Sequence, residues 1–408
     1  DRSAAGRKVV SLTLGGAMDD PKKQVIELPP MRVCGVGSLF EALGDSIVYR
    51  NLQPVDRRLP GLRSLRPSLG LQPRRVPRKV EPAYGRVVGE ILRAAGALNA
   101  GRHDFDRVIF IGDTKHSDGA AFVSICAALS CPGDAFICAE TQAEPELIPL
   151  DRGSGRTIHL ANRWRSIGGF EAQVASQGSI IGRGTVVIVD IDKTILGARG
   201  RNHRPVDSAR AAAVLRTARV LRGESVNREM LLAAYNHFND PQFHAFTTDN
   251  QDYLAYLAML VESGWSSIEK IREGIARGRL GTFGDLLNAV SATVERLPNR
   301  LRRAHDDVVM AVEIGDPTPF KDFRRAEYRE TVDRMAPPGK VEDIARLLAT
   351  RITLTAEVWR RIRLWRDRGA LLFGLSDKPD EASFPSAELE AEGYQPLHRT
   401  RAMVVGEG

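Results

Sequence analysis

Apolar residues recur along the chain with two different spacings. Short continuous apolar runs, each bounded by polar residues, predict buried strands at Arg107–Gly112, residues 135–139, Thr185–Asp190 and residues 370–374. Helical spacing precedes and follows the first of these runs, at residues 84–95 and 120–129. Such alternation of strand and helix predicts an α/β fold with a doubly wound parallel sheet.

The region between the last two predicted strands is helical throughout. Its apolar positions recur at helical intervals, with little alternation of β-branched residues. We therefore predict three parts: an irregular N-terminal segment that wraps the core at residues 1–78, an α/β core at residues 79–200 and 369–408, and an all-helical domain at residues 201–368. Within the core, residues 141–184 are predicted to be a long connection and residues 394–405 a last strand.

Composition narrows the classes of protein to which the chain can belong. Hydrophobic residues make up 43% and charged residues 27%, as in ordinary globular proteins, and no segment reaches the roughly 18 apolar residues of a membrane span. The four cysteines form no CxxC pair, so we expect a reducing, cytoplasmic location. The net charge of +7 comes largely from dispersed Arg residues, which favours a small anionic partner and leaves nucleic acid as the less favoured one.

Two carboxylates follow the clearest predicted strand. Asp190 ends that strand, and Asp192 and Thr194 come directly after it. Ligands bind at the carboxyl ends of parallel strands, and unpaired carboxylates are costly to bury there. A bound cation removes that cost, and oxygen ligands suit Mg²⁺. The alternative is a polar turn that caps the next helix.

Two further loops follow predicted strands. Asp113 and Asp118 bracket the loop after Gly112 and can complete a metal site, although an acidic residue near a helix start is also an ordinary feature. Ser376 follows the strand at 370–374, where a hydroxyl beside main-chain N–H groups is suited to hold a phosphate oxygen. A simple loop is the alternative for Ser376.

Together these motifs resemble the haloacid dehalogenase-like superfamily of phosphohydrolases. Asp190, Asp192 and Thr194 are similar to its first motif, DxDxT, and Ser376 is similar to its second motif. Lys79, followed by a predicted helix, is similar to the lone Lys of the third. The Gly112 loop with Asp113 and Asp118 is similar to the acidic fourth.

The order of these motifs departs from the usual one. Here the third and fourth motifs precede the first and second, so the resemblance implies a circular permutation. The family's sheet has strand order 5-4-1-2-3, and a cut between its third strand and the Lys helix requires a new link from strand 5 to strand 1. Residues 141–184 are long enough to provide it.

The resemblance implies a Mg²⁺-dependent phosphomonoester hydrolase with an aspartyl-phosphate intermediate. Asp190 is then the nucleophile and Asp192 the acid and base. The metal ligands are Asp190, Asp192 through its main-chain carbonyl, and Asp113. Asp118 is either a further ligand or a residue that contacts a ligand without binding the metal itself. Thr194, Ser376, Lys79 and Lys378 are the candidate phosphate-binding residues, and Lys115 is a further candidate for the lysine.

The helical domain resembles the caps that accompany small phosphorylated substrates in this superfamily. Two other functions remain open: a nucleic-acid end phosphatase, and a non-catalytic scaffold that binds phosphate groups. Arg324 and Arg325, on a predicted helix of this domain, are expected to lie on a solvated surface, with binding of a second anionic group as the alternative. The substrate and the oligomeric state are not predicted.

Overall fold

The computed structural model describes residues 30–101, 104–141, 143–223, 225–341 and 343–407. The strands in these ranges are β1 Met31–Gly37, β2 Ile47–Val48, β3 Arg107–Gly112, β4 Gly133–Cys138, β5 Leu147–Asp151, β6 Arg156–Ala161, β7 Thr185–Asp190, β8 Leu354–Thr355, β9 Leu371–Leu375 and β10 Ala402–Glu407. The helices are α1 Leu39–Leu43, α2 Leu62–Leu65, α3 Pro82–Ala100, α4 Ser117–Leu129, α5 Ile167–Ser176, α6 Arg204–Arg222, α7 Arg228–Phe238, α8 His244–Thr247, α9 Gln251–Glu262, α10 Ile268–Ala276, α11 Phe283–Ser291, α12 Asn299–Glu313, α13 Lys321–Met335, α14 Ile344–Thr350, α15 Ala356–Asp367 and α16 Ala387–Ala391. No described helix is both long enough and apolar enough to span a bilayer.

A seven-stranded sheet forms the centre of the molecule. Its strand order is β2-β9-β7-β3-β4-β6-β5, and all neighbours are parallel except the antiparallel pair β5 and β6. Successive residues of β3 point to opposite faces: Val108 and Phe110 join α3 and α4, while Ile109 and Ile111 join α5 and α15. Helices thus cover both faces, which explains the continuous apolar strands and confirms the predicted α/β class.

Close packing of α3 on α4 fixes the start of α3 relative to the sheet. A β-carbon at Gly85 of α3 would stand 2.4 Å from the carbonyl carbon of Ser124 on α4, so only glycine permits this approach. Pro82 occupies the first turn of α3, where its missing N–H costs no hydrogen bond. The segment just before α3, which carries Lys79, is thereby held beside the carboxyl end of β7.

Two predicted segments have a different structure from the one expected. Residues 141–184 are not a plain connection: β5 and β6 extend the sheet beyond β4, and α5 then returns across one face to β7. The half-exposed edge strand β5 has too little apolar pattern to be recognised from sequence. The last strand begins at Ala402, and it pairs with β1 and β8 in a separate three-stranded sheet instead of joining the main one.

The N-terminal part of the chain supplies the edge strand of the main sheet. Residues 1–29 of the predicted wrapping segment lie outside the described ranges. Residues 30–65 contribute β1, α1, β2 and α2, and β2 pairs in parallel with β9. With two residues, β2 is too short to produce a hydrophobic period.

Helices α6 to α13 form a helical unit with its own apolar core. The central helix of this unit is α9, of which residues 254–262 are all buried. Helix α15, although it lies in the predicted helical region, packs Val358, Ile362 and Trp365 against the main sheet with α5. The helical unit therefore ends near Met335, and the chain returns to the sheet through α14, β8 and α15.

The buried side-chain amide of Asn202 helps to join the two segments that connect the helical unit to the rest. Asn202 lies just before α6, and its Nδ2 donates to the carbonyl oxygens of Leu348 (2.7 Å) and Arg351 (2.8 Å). Its Oδ1 accepts from the main-chain N–H and the hydroxyl of Thr353, at 2.8 and 2.9 Å. Every donor and acceptor of this side chain is used, so the entering and returning segments are held together.

Candidate functional site

The loops after four parallel strands meet at one edge of the main sheet. Asp190 ends β7, Asp113 follows β3, Ser376 follows β9, and Arg50 lies just beyond β2. These strands are neighbours and run in the same direction, so their carboxyl ends lie together. The structure therefore brings the two acidic loops and the serine loop to a common edge, next to Lys79.

Three buried carboxylates and two cations form what we call the acidic cluster: Asp113, Asp118, Asp190, Lys79 and Arg199. One oxygen of each carboxylate lies within 4.8 Å of the others. Lys79 Nζ bridges Oδ1 of Asp118 at 2.9 Å and Oδ1 of Asp190 at 2.5 Å. Arg199 donates from Nε to the carboxylate of Asp113.

Asp118 holds the loop after β3 in shape. It lies in the first turn of α4, and its Oδ2 accepts from the main-chain N–H groups of Asp113 and Thr114, both at 3.0 Å. A β-carbon at Gly112 would stand 2.6 Å from this Oδ2, so a larger residue there would displace the carboxylate. Lys79 donates to the other oxygen, Oδ1, so both oxygens of Asp118 accept hydrogen bonds. Asp118 therefore orients the loop after β3 and the Lys79 side chain.

The acidic cluster has an excess of negative charge. Burial raises the pKa of Asp190 well above its ordinary value; Lys79 opposes this effect, and the charges of Asp118 and Asp113 add to it. Burial, followed by repulsion from Asp118, raises the pKa of Asp113 to about 6 in spite of Arg199. Three carboxylates face two cations, and the oxygen donors fit a hard divalent cation.

Two further predicted residues contact Asp190 and Asp192. The Thr194 hydroxyl donates to Oδ2 of Asp190 at 3.0 Å and is fully buried, so it orients that carboxylate. The Ser376 hydroxyl donates to Oδ2 of Asp192 at 2.8 Å and accepts from the main-chain N–H of Lys378 at 3.0 Å. Each acid of the first loop thus has a hydroxyl partner.

A second set of buried charges, which we call the basic network, consists of Lys378, Glu327, Arg324, Arg210 and Asp252. Glu327 on α13 accepts from Lys378 Nζ (2.7 Å), Arg324 Nη1 (2.6 Å) and Arg210 Nε (3.1 Å). Arg324 also donates to Asp252 at 2.8 and 2.6 Å. The network thus crosses from the helical unit to the loop of Ser376.

Charge balance in the basic network is the reverse of that in the acidic cluster. Burial acts to raise the pKa of Glu327, but Lys378, Arg324 and Arg210 outweigh burial and hold that pKa well below its usual range. Within this set three cations face two carboxylates, and Arg210 also lies 3.6 Å from Oδ1 of Asp207. The network approaches the acids of β7 through Lys378 Nζ, which lies 3.9 Å from Oδ1 of Asp192.

The three candidate lysines occupy different places. Lys79 belongs to the acidic cluster, Lys378 to the basic network, and Lys115 is exposed. The expectation that Arg324 lies on a solvated surface is wrong, because its side chain is buried between two carboxylates. Arg325 is exposed and pairs with Asp322.

Two residues of the candidate site, Arg199 and Glu327, were not predicted from the sequence. Arg199 follows the DxDxT loop, and no local pattern distinguishes it from the other arginines of the chain. Glu327 lies three residues after Arg324 on α13, and the two side chains form an ion pair. Two charges among the mainly apolar buried residues of a helix could have indicated a buried ion pair from the sequence. Both residues act through partners far away in the sequence.

Comparison of the chain with family models, with curated proteins and with solved structures gives no match.

Proposed function

We propose that the chain is a Mg²⁺-dependent phosphomonoester hydrolase that uses Asp190 as its nucleophile. The observation that carries this proposal is the meeting of Asp190, Asp113, Lys79 and Ser376 at one sheet edge, although they come from four separate segments. The same residues belong to the motifs that resemble those of the haloacid dehalogenase-like superfamily.

Strand order supports the same resemblance. The family order 5-4-1-2-3 corresponds to β4-β3-β7-β9-β2, and these five strands are consecutive in the main sheet. The strand at the third position is β2, from the N-terminal part of the chain. If the chain is a permuted member of this family, its ends therefore lie between the family's second and third strands. The sequence had predicted them between the third strand and the helix that follows Lys79.

The proposed reaction has two steps. In the first, a carboxylate oxygen of Asp190 forms a bond to phosphorus while the bond from phosphorus to the ester oxygen breaks, and Asp192 donates a proton to the leaving oxygen. In the second, Asp192 accepts a proton from water, whose oxygen attacks phosphorus and breaks its bond to Asp190. The products are the alcohol and inorganic phosphate.

Neighbouring groups prepare both acids for these roles. Lys79 holds Asp190 by an ion pair and, by opposing the effect of burial on its pKa, acts towards the charged form that the nucleophile needs. The Thr194 hydroxyl fixes the orientation of Asp190, and the Ser376 hydroxyl fixes that of Asp192. Lys378 and Ser376 lie on the side of the helical unit, where they are placed to hold phosphoryl oxygens.

The acidic cluster fits a magnesium ion by its donors. Asp190, Asp113 and the main-chain carbonyl of Asp192 would hold the ion, whose contribution is to offset negative charge on the carboxylates and on the phosphoryl group. In the described structure Arg199 supplies positive charge to Asp113. Arg199 occupies one oxygen of this carboxylate, so it would compete with the ion for Asp113.

Burial of the sheet edge favours a small substrate. Asp190 and Ser376 are each 3% exposed, and Glu327 of the helical unit reaches the loop after β9. The helical unit would act as a cap that opens to admit the substrate and excludes water when closed. A polymer end would have to fit into the same enclosed space.

Hydrolysis of p-nitrophenyl phosphate with Mg²⁺ and with EDTA tests the proposal. Wild-type protein is expected to show Mg²⁺-dependent turnover, and Asp190→Asn is expected to lose about 10⁴-fold or more in kcat, as for loss of a nucleophile. Acid quenching during turnover, followed by peptide mass spectrometry, should locate the phosphoryl group on Asp190. Asp322→Asn, which alters an exposed ion pair, is the control. Equal turnover by wild type and Asp190→Asn would refute the assignment.

A further inference from the structure

Arg50 lies at the same sheet edge as the candidate site. It follows β2, the strand next to β9, and its main-chain N–H donates to the carbonyl oxygen of Lys378 at 3.0 Å. This bond ties Arg50 to the loop that carries Ser376. The position of its main chain is therefore fixed relative to the residues proposed to bind the phosphoryl group.

The guanidinium of Arg50 has no hydrogen-bond or ion-pair partner among the described residues. Both carboxylates near it are engaged elsewhere: Asp252 accepts two bonds from Arg324, and Asp377 lies 3.6 Å from Lys79 Nζ. Arg50 itself is half-buried. A half-buried cation whose neighbouring anions are engaged elsewhere is suited to receive an anion from outside.

Two further arginines and two carboxylates act on Arg50. Burial, and next the charge of Arg324, lower the pKa of Arg50; Asp252 opposes this effect, Arg78 adds to it and Asp377 opposes it. Arg78 is anchored to the helical unit by its bond to the carbonyl oxygen of Thr248 at 2.6 Å. Both arginines also lie within electrostatic range of Tyr253, which stacks on Phe283 with ring centroids 3.6 Å apart. Both guanidinium groups therefore lie near the part of the helical unit that carries Tyr253.

We propose that Arg50, assisted by Arg78, binds a second anionic group of the substrate. This inference rests on the proposed function and narrows the substrate class to small phosphomonoesters that carry a carboxylate or a second phosphate. The planar fork of a guanidinium can donate two parallel hydrogen bonds to either group. Arg50 is then a specificity-determining residue, since it contacts a part of the substrate that does not react.

Matched pairs of substrates test this inference. The carboxylate arm compares 3-phosphoglycerate with glycerol 3-phosphate, and the phosphate arm compares 1,3-propanediol bisphosphate with 3-hydroxypropyl phosphate. For at least one pair, the member with two anionic groups is expected to have a kcat/KM about 10-fold to 100-fold higher with the wild type, as for one or two charge-assisted hydrogen bonds. Arg50→Gln should bring that ratio close to one and leave p-nitrophenyl phosphate hydrolysis nearly unchanged. Arg50→Lys should keep part of the preference, and Arg58→Gln, which alters an exposed arginine paired with Asp56, should keep all of it.

A binding experiment separates failure of this inference from failure of the proposed function. Isothermal titration of the same four compounds into Asp190→Asn, alone and combined with Arg50→Gln, measures discrimination without turnover. Tighter binding of a member with two anionic groups that disappears with Arg50→Gln supports the anion site even if no hydrolysis occurs. Equal affinities within both pairs, or a preference that survives Arg50→Gln, would overturn the inference.

Discussion

The acidic cluster and the basic network are both buried sets of charged side chains, yet their charge balance is opposite. In the acidic cluster three carboxylates share Lys79 and Arg199, and the pKa of Asp190 is raised. In the basic network three cations share Glu327 and Asp252, and the pKa of Glu327 is lowered. Burial acts in the same direction on both acids. The number of opposite charges within reach decides the outcome.

This difference indicates what each set can bind. From this charge balance we expect the acidic cluster to favour a cation and the basic network, which lies one loop away at Lys378, to favour an anion. A magnesium ion beside a phosphoryl group supplies both charges at once, as the proposed function requires. The difference in charge balance between the two sets can be tested by changing one charge at a time.

The largest effect is expected from Glu327→Gln. This change removes the charge that compensates Lys378, Arg324 and Arg210, and the loss of one partner from a buried ion network costs about 3–5 kcal/mol in the free energy of unfolding. Urea unfolding followed by circular dichroism measures it. The exposed pair of Asp322 with Arg325 provides the control, since Asp322→Asn should cost less than about 0.5 kcal/mol. A loss below about 1 kcal/mol for Glu327→Gln would contradict the role of this carboxylate.

Addition of Mg²⁺ should stabilise the wild-type protein. A ligand that binds only the folded state at one hundred times its Kd adds about 2.7 kcal/mol to the free energy of unfolding. Thermal unfolding with and without Mg²⁺ measures the change. The shift should disappear in Asp190→Asn, because a ligand of the ion is lost. An equal shift in this variant would place the binding of Mg²⁺ elsewhere on the molecule.

Removal of the competing guanidinium should tighten the binding of Mg²⁺. In Arg199→Ala the carboxylate of Asp113 is released, and we expect Kd for Mg²⁺ to fall about threefold to tenfold, which corresponds to about 0.7–1.4 kcal/mol. Calorimetric titration with Mg²⁺ measures it. Arg204→Ala, at a nearby exposed arginine, should leave Kd unchanged. Weaker binding in Arg199→Ala would show that this side chain does not compete with the ion.

The smallest effect is expected from Asp113→Asn without Mg²⁺. The change relieves repulsion with Asp118, and the Arg199 side chain, 38% exposed, can return to water. The free energy of unfolding should therefore change by less than about 1 kcal/mol in either direction. Urea unfolding beside Glu327→Gln gives the direct comparison. A cost as large as that of Glu327→Gln would mean that both sets of charges stabilise the fold equally.

The sequence predicted the central strands and the loops that follow them. β3, β7 and β9 are continuous apolar runs because both faces of the sheet are covered, and this made Asp113, Asp190 and Ser376 recognisable at their ends. Placement of these residues at one edge then followed from the parallel direction of the strands.

The remaining features depend on tertiary contacts that leave no local pattern. The edge strand β2 has two residues and is defined only by its pairing with β9. The bond between Lys378 and Glu327 joins residues 51 positions apart, and that between Arg199 and Asp113 joins residues 86 positions apart. A charge on a helix face indicates its partner only when the neighbouring element is known.

The saturated amide of Asn202 has a mechanical consequence. Since it ties the segment entering α6 to the segment that returns through β8, the two connections cannot swing independently. If the helical unit is the proposed cap, we expect it to move as one body, and a tilt that opens the site would break the bond between Lys378 and Glu327. In a working enzyme of this design, the rate of that tilt would limit how quickly the product leaves.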